Sequence, residues 1–281
     1  MNPVISFINM KGGVGKTTLC ISIASYLAQY LNKKVLVIDI DSQFNATQSL
    51  FGFHYSAEFY LNEILDKELT VRNIFNVRTK VAEDRADASA DDIIFALTEN
   101  LHIIPGDINI IYDASKEASR VRKLKSFIRK ENLREKYDFI LIDSPPTISV
   151  YTEAALIASD YYLVPVKIDY YSALGAKNLI NVISDISEEH DNAIKHIGFI
   201  YTFVKNFNSP KVQHTRTYFE NQEAFDKMCF FKSKAYYRDI YSSGKKANIA
   251  TEYLKTKADI AKITEEFIQR VNELSLQGDA R

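Results

Sequence analysis

The run Val4-Ile5-Ser6-Phe7-Ile8-Asn9 leads directly into Met10-Lys11-Gly12-Gly13-Val14-Gly15-Lys16-Thr17-Thr18. The first six residues are nearly all apolar, as in a strand buried on both faces. A helix pattern begins inside the second run, with Ile23, Leu27 and Leu31 on one face of a segment from Lys16 to Leu31. Between strand and helix stand three glycines. Glycine lets successive backbone N–H groups turn inward toward an anion with no Cβ in the way. The helix N-terminus adds the positive end of its dipole. Lys16 then supplies a point charge to β- and γ-phosphate oxygens, and the Thr17 hydroxyl is a ligand for Mg²⁺. The strict phosphate-loop pattern is GxxxxGK[ST]; here Met10 stands at the first glycine and Lys11 adds a second lysine. A dinucleotide fingerprint fits worse, because Thr18 occupies the third small position and no ribose-binding acid is evident.

Working outward, further apolar runs recur at Lys34 to Ile40, Leu101 to Pro105, Phe139 to Asp143, Tyr161 to Val166 and Ile197 to Phe203. Amphipathic stretches separate them. A segment from Lys116 to Tyr137 turns Val121, Leu124, Phe127 and Ile128 inward, and the last helix carries Ile260, Ile263, Phe267, Val271 and Leu274. Strands alternating with helices predict an α/β fold with a mostly parallel, twisted sheet between helical layers. Asp39 and Asp41 end one strand and Asp143 ends another. Carboxylates at the carboxyl ends of neighbouring parallel strands lie at the ligand crevice of such a sheet. There they suit Mg²⁺ held through water, or a positioned attacking water.

The 281 residues suffice for a large core without disulfides. With 46% apolar and 25% charged residues, the chain is neither disordered nor a disulfide scaffold. Cys20 and Cys229 stand far apart with no Cys/His cluster, which excludes zinc and redox motifs and suits a reducing cytosol. No apolar run reaches transmembrane length, and no signal peptide is read at the start. One acidic, polar stretch, Thr79 to Asp92, reads as an insertion, and residues 277–281 as a frayed tail of a single domain spanning 1–276.

KGGVGKTT, residues 11–18, resembles the deviant phosphate-loop signature of the ParA/MinD family of P-loop ATPases. Asp39-Ile40-Asp41-Ser42-Gln43-Phe44-Asn45-Ala46-Thr47 is similar to that family's second motif, Asp143-Ser144-Pro145-Pro146 to the end of its Walker B strand, and Pro165-Val166 with Tyr170 to Gly175 to a fourth segment. The order and spacing match, closest to the partition branch, ParA/Soj. The resemblance implies a P-loop NTPase fold with three α/β/α layers, and ATP and Mg²⁺ as ligands. It implies that Gly12, Gly13, Val14, Gly15, Lys16, Thr17 and Thr18 bind the phosphates. Asp41 would orient the hydrolytic water and Lys11 would reach across a dimer interface to the partner's phosphates. Asp143 would hold the ion through water with Thr17, and Asp39 would join the metal site or support the switch region. It further implies slow, partner-stimulated turnover, an ATP-dependent homodimer, non-specific DNA binding, a ParB-like centromere-binding partner, and a cytoplasmic, nucleoid-associated location with no membrane.

The sequence departs from the family at several places. Thr202 is kept after the sixth long strand, but Lys205 and Phe207 replace an Asp and an Arg near the base. Phe231-Lys232-Ser233 replaces an Ile-Pro-Arg segment, and Ser42 and Phe44 replace a Pro and a Gly, which predicts a switch loop of different shape.

The net charge of −1 argues against nucleic acid until it is divided. Residues 195–262 hold 13 Lys and Arg against 6 Asp and Glu, a local net of +7. This third contains Lys205, Lys211, Arg216, Lys232, Lys234, Arg238, Lys245 and Lys246, with tyrosines interleaved. A basic run is more often a solvated face; with the resemblance it becomes the candidate DNA contact. A MinD-like ATPase would need an amphipathic C-terminal tail, which ELSLQGDAR does not provide. An iron–sulfur reductase would need paired interfacial cysteines, and an ATP-switched scaffold or regulator for another cargo differs only in its turnover and partner.

Overall fold

The computed structural model describes residues 2–75, 89–110, 118–238 and 245–277. Strands β1 (Val4–Phe7), β2 (Val35–Asp39), β3 (Phe95–Ala96), β4 (Leu101–Ile104), β5 (Phe139–Asp143), β6 (Tyr161–Lys167) and β7 (Lys195–Thr202) form one sheet in the order β3-β4-β2-β5-β1-β6-β7. Every pairing is parallel except β3 with β4. The six long strands follow the apolar runs, with ends shifted by up to two residues.

Along β2 the side chains alternate between two cores although the run is apolar throughout, as the two-residue strand period requires. Val35 and Val37 enter one core with α1 (Lys16–Tyr30), α2 (Asn45–His54) and the long C-terminal helix. Leu36 and Ile38 enter the other with α3 (Lys123–Lys130) and α4 (Val150–Ala158). A third cluster covers β6 and β7 with α5 (Tyr170–Glu189) and α6 (Pro210–Glu220). The C-terminal helix α7 (Leu254–Leu276) buries Ile260, Ile263, Phe267 and Val271, and Leu274 packs at the margin. The layers are therefore α/β/α, as the alternation implied.

Three local readings need correction. The helix expected from Lys116 to Tyr137 is broken: a 3-10 turn at Ala118–Arg122 precedes α3, and a separate turn spans Leu133–Lys136. Asn132 between them has φ 52°, a left-handed backbone that Asn tolerates and a helix does not. Leu31 is 37% exposed rather than inward, because α1 stops at Tyr30. The antiparallel β3 was not foreseen. Residues 79–88 of the acidic stretch and 278–281 of the expected tail lie outside the described residues. Ser89–Asp92 form a capped helical start, Ser89 Oγ donating to Asp92 at 2.8 Å while Ala90 and Ile93 enter the core.

Parallel pairing brings the chemistry together. Phe7 of β1 is level with Asp143 of β5, and Asp143 is level with Asp39 of β2. The loop leaving β1 thus begins beside both acids, at the carboxyl edge of the sheet.

Candidate functional site

The loop from Met10 to Gly15 turns on two residues with left-handed backbone, Gly13 at φ 65° and Gly15 at φ 85°. Gly15 caps α1, and a Cβ there would lie 3.0 Å from the Phe203 ring. Phe203 follows β7. Its neighbour Thr202 donates from Oγ1 to the Val14 carbonyl at 2.6 Å and bridges to the Val166 carbonyl at 3.2 Å. Thr202 therefore ties the phosphate loop to the ends of β6 and β7. Val14 is buried, while Lys11, Gly12 and Gly13 are exposed.

The two lysines of the loop diverge. Lys16 is 6% exposed and sits in the field of Asp143 and Asp41. Burial lowers its pKa, and the two carboxylates oppose that shift. Lys11 instead pairs with Asp169 at 2.5 Å, both side chains partly exposed. Asp169 also caps α5, accepting from the Tyr171 and Ser172 backbone N–H groups at 3.1 and 3.0 Å. Partial burial of Asp169 is outweighed by Lys11 and Ser172, and its pKa lies below the ordinary carboxylate value.

The three aspartates occupy distinct environments. Asp143 is fully buried; its Oδ2 accepts from Thr17 Oγ1 at 2.7 Å, and its Oδ1 has no hydrogen-bond partner. Burial, with Asp39 beside it, pushes its pKa well above the carboxylate range. Asp39 is fully buried too, but both of its oxygens are engaged. Oδ1 accepts from the Asp41 N–H at 3.2 Å; Oδ2 accepts from Thr47 N–H at 2.8 Å and Thr47 Oγ1 at 2.7 Å. Burial raises its pKa to about 7 against the Thr47 bonds. Asp41 accepts from the Gln43 N–H at 2.9 Å, and burial raises its pKa while Gln43 and Lys16 oppose.

Thr47 extends the link, accepting from the Gly106 N–H at 2.8 Å. Asp39 thus anchors both the start of α2 and the preceding loop that carries Asp41. Phe44, N-terminal to α2, takes the left-handed backbone that glycine adopts freely, with φ 41°, and stacks on Tyr60 at 5.6 Å.

The basic residues are only partly gathered. Lys234 Nζ lies 3.6 Å above the Phe207 ring and the Arg216 guanidinium 4.9 Å from it. Lys205 lies 3.5 Å above Tyr237. Lys211 is exposed on α6. Arg238 instead faces Asp259 at 3.5 Å, and Lys232 shares a groove beside α7 with Lys262, Arg270 and three glutamates. Phe231 packs into the core against Gly198. The side chains of Lys245 and Lys246 lie outside the described residues. Thr47, Asp169 and Phe203 escaped assignment from sequence. Thr47 closes the second motif and Asp169 stands just before Tyr170, but nothing local marks their partners.

The phosphate loop, the acids on adjacent strands and the inward lysine form a cradle for a polyphosphate with a divalent ion. Among the described residues no group of three or more acidic, His or Cys side chains could hold a metal alone. The orphaned Asp143 Oδ1 beside the Thr17 hydroxyl fits an ion completed by water and phosphate oxygens.

Residues 2–196 match a family described as an AAA domain. The chain is 32% identical over 229 residues to the sporulation initiation inhibitor protein Soj of Bacillus subtilis, covering 79% of this chain and 82% of that protein. It is 30% identical over 270 residues to a virulence plasmid ParA family protein of Chlamydia psittaci, covering 93% of each. Among solved structures, apo McdA of Cyanothece superposes with a TM-score of 0.77 at 20% identity, covering 96% of this chain and 99% of that one. A plasmid partition protein of Borrelia burgdorferi bound to AMPPNP superposes with 0.71 at 21% identity, covering 97% and 99%. Among the described residues no helix is long and apolar enough to cross a membrane.

Proposed function

Because the chain belongs to the ParA/Soj family of P-loop ATPases, we propose that it is an ATP-switched positioning ATPase that pairs with a second copy on ATP, binds DNA non-specifically in that state, and partitions a plasmid or chromosome. The observation that carries this reading is the divergence of Lys11 from Lys16. Lys16 serves the chain's own phosphate loop, while Lys11 stands on an exposed face, held by Asp169. Around that pair Tyr170, Tyr171 and Leu174 are 67%, 74% and 63% exposed, a cluster of apolar side chains suited to being covered by a second copy. In the pair, Lys11 exchanges Asp169 for the other copy's phosphates.

Within one copy, the backbone N–H groups from Gly12 to Thr18 and the Lys16 ammonium bind ATP. Thr17 and Asp143 would hold Mg²⁺, Asp143 through water, and the ion would supply positive charge against the β- and γ-phosphates. Asp41 orients water in line with the γ-phosphorus; the water oxygen bonds to phosphorus, the bond to the ADP oxygen breaks, and the water proton leaves to solvent or phosphate. Asp39 positions Asp41 through Thr47 and the loop backbone rather than adding a ligand. Turnover is slow until a ParB-like partner stimulates it, and the protein is cytoplasmic and nucleoid-bound.

DNA contact belongs to the basic C-terminal third, led by Lys205, Arg216 and Lys234 on their aromatic rings, with Lys211, Lys232, Arg238, Lys245 and Lys246 as its further basic residues. These touch phosphates and read no sequence. ATPase rates measured alone, with duplex DNA, and with DNA plus the neighbouring gene's product test the reading. Stimulation by the last combination is expected; stimulation by lipid vesicles instead overturns it.

A further inference from the structure

Lys167 ends β6, level with Thr202 of β7. It is half-buried, and its Nζ lies 4.7 Å from the centre of the Phe203 ring. A Cβ built on Gly13 would stand 3.9 Å from that same nitrogen. The ammonium is therefore packed against the crest of the phosphate loop rather than extended into solvent. One direct contact, with the Phe203 ring, holds it there, and two others fix the loop and that ring around it. Thr202 ties Val14 to the end of β6, the Phe203 ring abuts Gly15, and the face of that ring receives the cation.

Among the described residues no carboxylate or hydrogen-bond acceptor pairs with the Lys167 ammonium. The acids of the site lie elsewhere. Asp39, Asp41 and Asp143 stand on the β2 and β5 side of β1, and Asp169, two residues along, is taken by Lys11. A half-buried cation beside a glycine-rich turn at the N-terminus of α1, with no counter-ion among the described residues, is a charge arrangement completed by an anion.

We infer that Lys167 is a further phosphate-contacting residue, a second cation supplied in cis to the bound nucleotide from the flank of the loop opposite the acids. Its partner is the phosphate chain of a nucleoside di- or triphosphate. The inference rests on ATP being the ligand of this loop. Phe203 is a positioning residue for it.

The test is calorimetric titration of Mg-ATP into the native chain, Lys167→Gln and Lys167→Arg, with thermal melts without nucleotide as the measure of folding. Lys167→Gln is expected to raise the Kd for ATP about tenfold, with Lys167→Arg within threefold of native, since a charge-assisted contact is lost in one and kept in the other. A Kd for Lys167→Gln within twofold of native overturns the inference. Failure of the native chain to bind ATP overturns instead the reading on which it rests. Should Lys167→Gln fail to fold, acetylation footprinting of the native chain decides. Lys167 is expected to react more without nucleotide than with Mg-ADP or Mg-ATP; equal reactivity in all three overturns it.

Discussion

Asp39 carries a cost that pH exposes. Its carboxyl pKa is near 7 in the folded chain and near 3.8 when unfolded. Between those values the unfolded chain has released the proton and the folded chain keeps it, so folding stability falls as pH rises from about 4 to 7. The penalty is complete above pH 7 and on the order of a few kcal/mol. Asp143 shifts in the same direction. Urea midpoints at pH 5 and pH 8 without nucleotide are expected to drop for the native chain and to drop less for Asp39→Asn. Equal drops would remove Asp39 as a source. Two further substitutions separate roles in the site. Lys16→Ala is expected to lose ATP binding in a titration, whereas Asp41→Ala keeps it but turns over at least a hundredfold more slowly. Lys16, Thr17 and Asp143 were legible in the sequence because each sits inside a contiguous motif. Asp169 and Lys167 were not, because β1–β6 pairing alone brings them to a loop more than 150 residues earlier.

At the scale of elements, the strand-to-helix turn at Gly15 is the most constrained joint. Its φ of 85° and the Phe203 ring 3.0 Å from a Cβ both oppose any side chain. Gly15→Ala is expected to destabilise the chain by about 1–2 kcal/mol and to weaken ATP binding, read by melting and titration. Helix α7 illustrates packing. Phe267 is fully buried, stacks with Phe7 at 6.5 Å and lies tilted against Phe139 at 6.2 Å. Phe267→Ala is expected to cost about 3–5 kcal/mol in urea unfolding. Long strands and α7 were readable because their apolar period persists over many residues. The two-residue β3 has no period to read, and the break at Asn132 depends on one backbone angle inside an otherwise helical pattern.

The whole molecule separates charge by region, which the net of −1 conceals. The fold gathers Arg216 and Lys234 around Phe207, but pairs Arg216 with Glu220 and Arg238 with Asp259, each at 3.5 Å. Composition alone distinguishes these cases poorly, because Asp259 and Glu266 reach the basic residues from α7, distant from them in sequence. With ATP, the DNA association constant is expected to fall with log salt at a slope of about −0.9 per phosphate contacted. Filter-binding between low and high salt reads that slope, and a flat line contradicts it.

The exposed Lys11 and its aromatic neighbours form the proposed face through which two copies pair on ATP. Molar mass by light scattering, with and without saturating Mg-ATP, for the native chain and Lys11→Ala tests that pairing most directly. The native mass of 32.1 kDa is expected to double on ATP, and the Lys11→Ala mass to stay single while ATP still binds. A native chain that remains single with ATP bound, or a Lys11→Ala chain that doubles as readily, would contradict it.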